Sequence, residues 1–215
     1  RSGRATEESI RLYFVGDIML DRGVEESIRA NGEGGFTFPF KKCVFFLKKA
    51  DILFGNLESV ISDQGYPAGG KYMFRAEPEA MEGLVYAGFD VVSVANNHLF
   101  DYSRLAMEDS FTRLRKAGIK AAGGGMSKEE ACSPVILERK GVKVAYLAYT
   151  NLGAPAWQAE ENQSGLCWLD NGIEGQIKKA AQQVDIVVVS MHLGTEYEKK
   201  PNAEQKHFAR LAVDA

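Results

Sequence analysis

The chain has 215 residues, of which 45% are hydrophobic and 26% are charged, and its formal net charge is −3. This length and composition suit one globular domain with a sizeable core. The acidic balance argues against a nucleic-acid partner, because binding to a phosphate backbone requires clustered lysine and arginine. No apolar run reaches the ~20 residues that a membrane-spanning helix requires. A polar lead-in over residues 1–9 is expected, followed by a single domain over residues 10–215.

Strand-like and helix-like segments alternate along the chain, a pattern that predicts βαβ units and a largely parallel sheet. Strands are expected at residues 10–15, 51–54, 72–74, 90–94, 135–138, 142–149 and 185–190. Helices are expected at residues 23–30, 39–49, 78–87, 104–117, 172–181 and 202–213. Gly88 and Gly118 follow two of these helices and fit their ends. The expected fold class is therefore α/β.

The cysteines, the glycine run at 123–125 and His207 form no recognisable functional motif. Cys43, Cys132 and Cys167 are scattered and form no CxxC pair, so no disulfide framework is indicated. Cys43 lies in an apolar helix-like run and is interpreted as a small buried hydrophobe. The glycines at 123–125 lack the neighbours of a phosphate-binding loop and are interpreted as a flexible turn. His207 lies in the last predicted helix and is interpreted as a surface residue.

Four short polar segments follow four of the predicted strands, at residues 16–19, 55–59, 95–98 and 191–197. Ligands of open α/β sheets bind in the crevice outside the carboxyl ends of the strands. One shared site is therefore expected where these segments meet. Its candidate members are Asp17, Asn56, Glu58, Asn97, His98 and His192.

These candidates carry the donor atoms of a metal or phosphate site. Asp17 can bind a metal, although capping the next helical turn is a common role for such an aspartate. Asn56 and Glu58 point the same way in an extended segment, so either can be the ligand. Asn97 can coordinate a metal through its amide oxygen, and His98 can donate a proton. An Asx-turn with a solvated histidine explains the same pair of residues.

Further candidates could orient a ligand or bind an anion. His192 leaves an apolar strand and is interpreted either as a metal ligand or as a hydrogen-bonded residue at the edge of the core. Glu196, four residues later, can orient its imidazole. Arg75 is a candidate clamp for phosphate or carboxylate, and Lys71 is a second one. A surface ion pair between Arg75 and a nearby acid explains that residue equally well.

Four motifs in this order resemble the bacterial capsule synthesis proteins of the poly-γ-glutamate type: GDIML, FGNLES, VSVANNHLFDY and MHLGTEY. The resemblance runs from about residue 11 to residue 197. It implies a calcineurin-like metallophosphatase fold, an αββα sandwich with metals at the strand ends. It also implies that metal is bound by Asp17, by Asn56 or Glu58, and by Asn97 and His192. His98 is implied as the catalytic residue.

Two departures from that family pattern limit the expected site. Met19 stands where a histidine ligand is expected, and a late Gly-His-x-His motif is not present. The C-terminal part of the fold is therefore expected to lie beyond this chain. The expected cofactor is a divalent Mn, Zn or Fe ion, because these metals suit mixed nitrogen and oxygen donors better than Ca²⁺ does. This chain is expected to hold one such ion at most.

Two functions stay open at this point. The first is capsule or poly-γ-glutamate biosynthesis through a metal-dependent phosphoesterase-like site. The second is a non-catalytic factor that binds or exports the surface polymer on the same fold. The expected partners are an anionic polymer or phosphoester substrate and other membrane-bound polymer synthesis proteins, with no nucleic acid. The expected location is the bacterial cell envelope, outside the cytoplasm, with the cytoplasm as the alternative.

Overall fold

The computed structural model describes residues 9–31 and 35–215, so residues 1–8 of the expected lead-in lie outside the described residues. The strands, in chain order, are β1 (Leu12–Ile18), β2 (Ile52–Leu57), β3 (Val60–Ile61), β4 (Arg75–Ala76), β5 (Val91–Ser93), β6 (Lys120–Ala122), β7 (Gly124–Gly125), β8 (Val135–Arg139), β9 (Val142–Thr150), β10 (Gly165–Leu166) and β11 (Ile186–His192). The α-helices are α1 (Arg22–Ala30), α2 (Val44–Leu47), α3 (Ala80–Ala87), α4 (Ser103–Lys116), α5 (Lys128–Cys132), α6 (Ile173–Ala181) and α7 (Ala203–Asp214). Short 3₁₀ helices cover Gly35–Phe40 and Pro155–Trp157.

The first sheet has the strand order β1-β2-β5-β6, and every neighbouring pair in it is parallel. Its interior strand β2 is buried along its whole length, as the apolar strands of parallel sheets usually are. β1 lies at the edge of the sheet and is more exposed. The β1–β2 register shifts after Phe14, so Asp17 comes to lie beside Asn56. The polar residues that end these two strands are therefore neighbours.

The second sheet has the strand order β11-β9-β8. β8 and β9 correspond to two predicted strands and form an antiparallel hairpin, which turns through Lys140 and Gly141 at φ values of 53° and 74°. Positive φ at both central residues is typical of the tight turn whose twist matches the flanking strands. β11 pairs in parallel with β9 and lies at the edge of this sheet.

Alternate residues of β9 face two different cores, as the two-residue period of a strand requires. Tyr146 faces the first sheet and stacks on Phe54, with ring centroids 5.4 Å apart. Tyr149 lies in a second cluster with Ile173 of α6 and Phe208 of α7. Helices α3 and α4 pack into the first cluster. The chain thus places its two larger sheets between helical layers, and the predicted α/β class is confirmed.

The segment 39–49 is not the single helix that its sequence predicts. Pro39 lies inside a 3₁₀ helix, and α2 contains only four residues. Proline has no N–H to donate, so a regular α-helical ladder does not run through it. Cys43 precedes α2 and is exposed, which contradicts its interpretation as a buried hydrophobe. Residues 72–74 likewise form no strand, and the pairing with β3 begins at Arg75.

The glycines at 123–125 are buried and closely packed, so their interpretation as a flexible turn is wrong. Gly123 has a φ of 84°, and a Cβ there would lie 2.5 Å from the carbonyl oxygen of Ala148. A Cβ on Gly124 would lie 2.8 Å from the Phe111 ring. These positions therefore require glycine because the backbone passes so close to β9 and α4.

A disulfide joins Cys132, at the end of α5, to Cys167, with Cα atoms 5.0 Å apart. This bridge corrects the expectation from cysteine spacing. The two cysteines are 35 residues apart and share no local motif, so their pairing follows only from the fold. Cys167 is buried in the second core cluster, and the bridge therefore ties α5 to that cluster.

Candidate functional site

Asp17, Asn56 and His192 meet where β1, β2 and β11 end. The amide nitrogen of Asn56 donates to Oδ1 of Asp17 at 2.8 Å and lies 3.3 Å from Nδ1 of His192. β1 and β2 belong to the first sheet and β11 to the second, so this amide bridges the two sheets. The expected convergence of strand-end residues is therefore observed, while their chemical roles stay predictions.

His192 is held on both sides of its ring. Its Nε2 lies 2.8 Å from Oδ1 of Asn97. Because an amide NH₂ group can only donate, Nδ1 of His192 accepts from Asn56 and Nε2 carries the proton. The Thr150 hydroxyl donates to the His192 carbonyl at 2.7 Å. Burial lowers the pKa of His192 against the opposing charge of Asp17, which favours the neutral imidazole that a metal would bind.

Asn96 is the buried anchor of the cluster, although it is not among the predicted site residues. It is 0% exposed. Its Nδ2 donates to Oδ1 of Asn56 at 3.1 Å and to the Leu57 carbonyl at 2.9 Å. Its Oδ1 accepts from the backbone N–H of His98 at 3.0 Å. That last bond is the side-chain turn that the alternative interpretation of this motif describes. The turn holds the backbone from which Asn97 reaches His192.

His98 is oriented by Asp101, which is also not among the predicted site residues. Nδ1 of His98 lies 2.7 Å from Oδ2 of Asp101, and the same oxygen accepts from the Phe74 N–H at 2.6 Å. A carboxylate can only accept, so Nδ1 carries the proton and Nε2 is left for another partner. The Phe74 ring stacks on the imidazole with centroids 4.0 Å apart. An aspartate three residues after a candidate histidine is the sequence signal that points to this pair.

Glu58 lies between the two histidines. Its Oε1 is 3.9 Å from Nε2 of His98 and 3.6 Å from Nε2 of His192. Burial, aided by the negative charge of Asp17, raises the pKa of Glu58 to about 7, and His98 opposes this rise. A carboxyl group so perturbed beside histidines is typical of a functional site. Asn56 and Glu58 both face the cluster, so position alone leaves open which of them is a ligand.

Glu196 is exposed and has no hydrogen bond to His192 in the described part of the chain. The ring nitrogens of His192 contact Asn56, Asn97 and Glu58 instead. Orientation of His192 therefore comes from the two asparagines, and the orienting role predicted for Glu196 is not observed. Its charge contributes to the raised pKa of Glu58.

The two basic candidates lie in different surroundings. The Arg75 guanidinium lies 4.1 Å from the centroid of the Tyr102 ring. The cavity around Arg75 is also lined by carboxylates, namely Asp21, Glu25, Asp63, Glu77 and Glu79. These charges disfavour an anion there and weigh against a clamp at Arg75. Lys71 is exposed, with its Nζ 5.0 Å from the centroid of the Tyr72 ring. Anion binding by either residue stays a prediction.

The cluster fits a metal ion in donor type and only in part in orientation. Asp17, Asn97 and His192 offer a mixed set of oxygen and nitrogen donors, which suits Mn, Zn or Fe. Within residues 9–31 and 35–215, no three Asp, Glu, His or Cys side chains form a group that could hold a metal. The NH₂ group of Asn56 faces Asp17 and His192. Metal binding by Asn56 itself would therefore require this amide to rotate and present its oxygen.

Solved structures share this fold at low sequence identity. A phosphatase from Mycoplasma pneumoniae aligns with a TM-score of 0.53 and 15% identity, over 95% of this chain and 60% of that one. A hypothetical protein from Thermus thermophilus aligns with a TM-score of 0.50 and 15% identity, over 93% of this chain and 63% of that one. The αββα layering together with these neighbours confirms the metallophosphatase-like fold.

Curated relatives are more similar in sequence. The PGA biosynthesis protein CapA of Bacillus subtilis is 30% identical over 226 residues, covering 100% of this chain and 59% of the relative. The capsule biosynthesis protein CapA of Bacillus anthracis is 30% identical over 217 residues, covering 97% of this chain and 52% of the relative. The chain thus spans somewhat more than half the length of these relatives. The model of the bacterial capsule synthesis protein PGA_cap matches residues 11–215. The chain therefore belongs to the bacterial capsule synthesis protein family.

Proposed function

We propose that this chain acts in capsule or poly-γ-glutamate biosynthesis and that its polar cluster hydrolyses a phosphoester with the help of a divalent metal. One observation carries the proposal: strand ends of both sheets bring Asp17, Asn56, Asn97 and His192 into one hydrogen-bonded cluster beside His98. The names of the two Bacillus relatives support the part of the proposal that concerns capsule or poly-γ-glutamate biosynthesis. The reaction class rests on the side chains of the site, because a fold alone does not imply a function.

The chemistry follows from the positions of the side chains. A divalent ion, when bound, would polarise the phosphoester and activate a water molecule. Asp17, Asn97 and His192 would hold it, joined either by Glu58 or by Asn56 after rotation of its amide. His98 presents Nε2 to the leaving oxygen and, when protonated, donates a proton to it. Asp101 fixes the His98 ring in the orientation that this transfer needs.

The proposed location is the cell envelope, outside the cytoplasm, with the cytoplasm as the alternative. The Cys132–Cys167 bridge supports this location, because structural disulfides form and persist in oxidising compartments. In the described part of the chain, no helix is both long enough and apolar enough to cross a membrane. The proposed partners are an anionic polymer or phosphoester and other membrane-bound polymer synthesis proteins.

A non-catalytic role in binding or exporting the polymer is the second candidate. The amide of Asn56 favours it, because an NH₂ group rather than an oxygen faces Asp17 and His192. Met19, which stands in place of an expected histidine ligand, points the same way. In this role the cluster would stabilise the strand ends, and basic surface residues would bind the polymer.

The two roles are separated by a Mn²⁺-dependent assay with bis(p-nitrophenyl) phosphate. The protein is compared with its His98→Ala and His207→Ala variants. His207 is the matched control, because it is exposed on α7 and hydrogen bonds only to Asn171 among the described residues. We expect His98→Ala to lower turnover about 10²-fold, the usual scale for loss of a positioned acid, and His207→Ala to leave it unchanged. Equal turnover of both variants would remove His98 from catalysis and favour the binding role.

A further inference from the structure

Two aromatic residues and two basic residues lie in succession between His98 and the surface. The Phe74 ring covers the imidazole, with centroids 4.0 Å apart. The Arg22 guanidinium lies 5.5 Å from the centroid of Phe74 and 5.7 Å from that of Tyr72. The Lys71 ammonium lies 5.0 Å from the Tyr72 centroid. We call Arg22, Lys71, Tyr72 and Phe74 the cationic rim.

Both cations of the rim keep their charge available. Neither Arg22 nor Lys71 has a carboxylate within ion-pair distance among residues 9–31 and 35–215. Both side chains are exposed, in contrast to the partly buried Arg113, which pairs with Asp63 and Asp109. Aromatic faces attract such cations without neutralising them. The rim can therefore accept a further anion without first breaking an ion pair.

The backbone of Arg22 adopts a conformation that is unfavourable for a residue other than glycine. Its φ is 55°, in the left-handed region that residues other than glycine rarely adopt. The Asp21 carboxylate accepts hydrogen bonds from the backbone N–H of Arg22 at 2.7 Å and from that of Arg75 at 2.8 Å. These bonds tie the start of α1 to β4. Strained backbone beside a candidate active site is a reason to look for a function there.

Arg75, the basic residue that the sequence favours, is less suited to bind an anion. Its cavity contains five carboxylates, whereas the two rim cations flank an exposed tyrosine ring. A carboxylate chain could lay its methylene groups on Tyr72 and its charges against Arg22 and Lys71. Guanidinium suits this purpose because it pairs with a carboxylate through two parallel hydrogen bonds.

We propose that the cationic rim binds the carboxylates of an anionic chain next to His98. This inference rests on the proposed function, since it names the polymer-binding subsite of the same site. It assigns the binding charge to Arg22 and Lys71 rather than to Arg75. It also gives Tyr72 and Phe74 the role of a platform for the apolar part of the chain.

The test measures the affinity of the protein for poly-γ-glutamic acid by calorimetry, in EDTA so that no turnover occurs. Arg22→Gln and Lys71→Gln should each weaken binding about tenfold, the scale of one lost charge-assisted bond. Arg210→Gln and Lys48→Gln are the matched controls. Arg210 is an exposed arginine of α7, and Lys48 lies over the Tyr86 ring at 5.1 Å. Both controls should bind like the wild type.

Several outcomes would overturn the proposal. One is a loss of affinity that is equal in the controls, which indicates binding by net charge alone. Another is a larger loss for Arg75→Gln than for Arg22→Gln. A third is equal affinity for polyphosphate or single-stranded DNA, which removes the preference for carboxylate. Calorimetry in EDTA measures binding without turnover, so its result is independent of the assay with bis(p-nitrophenyl) phosphate. A protein that binds the polymer but shows no phosphoesterase activity in that assay would refute the hydrolase proposal and leave the rim proposal intact.

Discussion

The two halves of the candidate site are held in different ways. On the first-sheet side, the buried Asn56 of β2 and Asn96 of the loop after β5 bond to each other and to several neighbours, and β2 is buried throughout. The second sheet supplies His192 from the edge strand β11, whose seven residues are all only partly buried. Two amides and the Thr150 hydroxyl hold that histidine. The difference indicates that the first sheet builds the site and that the second delivers one side chain to it.

Removing the covalent support of the second core should have the largest effect on stability. Replacing both Cys132 and Cys167 by serine should lower the free energy of unfolding by about 2–4 kcal/mol, the usual contribution of a bridge that closes a loop of this size. Denaturant unfolding without reductant measures this change. Cys43→Ser is the control and should stay within about 0.5 kcal/mol of the wild type, because Cys43 is exposed. An unchanged midpoint for the double variant would contradict a structural role for the bridge.

The second largest effect on stability is expected from removing the Asn96 side chain, which anchors the first-sheet half of the site. Asn96→Ala leaves the Leu57 carbonyl, Oδ1 of Asn56 and the His98 N–H without their partner. Because these groups are buried or partly buried, we expect a loss of about 2–3 kcal/mol in the free energy of unfolding. The exposed Asn162→Ala variant serves as the control. A loss below about 0.5 kcal/mol for Asn96→Ala would show that the network does not stabilise this half.

Glu58, between the halves, should make stability depend on pH. Its pKa rises from 4.5 to about 7 on folding, so the folded state keeps a proton that the unfolded chain releases. The stabilisation from this proton is complete below pH 4.5 and is lost as the pH rises towards 7. In EDTA the wild type should therefore lose about 1–2 kcal/mol relative to Glu58→Gln across this window, after allowance for solvent screening. Parallel stability curves for the two proteins would refute the raised pKa.

The smallest effect on stability is expected from removing a hydrogen bond that supports His192 alone. The buried Thr150 hydroxyl donates to the His192 carbonyl and accepts from the Leu152 N–H. Thr150→Val should cost about 1 kcal/mol and shift the NMR signals of the His192 ring more than those of His98. Thr112→Val is the control, because its exposed hydroxyl also donates to a carbonyl. Equal shifts at both histidines would show that the two halves move together.

Much of the fold was accessible from the sequence because its signals are local. Gly88 ends α3 with a φ of 89°, and the Lys140–Gly141 turn joins β8 to β9. The meeting of the polar residues that follow the strands was also predictable, because parallel strands end at the same edge of a sheet. Asn96 was missed as an anchor because its partners, Asn56 and Leu57, lie about 40 residues away in the chain.

Other features depend on contacts that no local pattern contains. Cys132 and Cys167 share no motif, and their pairing needs α5 packed beside the second core. The packing of Gly123 depends on its distance from β9. The role proposed for Arg22 depends on the fold bringing Phe74 onto His98. In each case tertiary packing, rather than propensity or spacing, decides what the residue does.

The proposed hydrolysis depends on a metal ion bound by the strand-end cluster. Anomalous diffraction at the manganese edge, from crystals of the protein grown with Mn²⁺, tests it most directly. We expect one peak within about 2.0–2.3 Å of an Asp17 oxygen and a His192 ring nitrogen, and we expect Asp17→Asn to abolish it. No peak at this position under saturating Mn²⁺, or a peak that Asp17→Asn leaves unchanged, would contradict the claim.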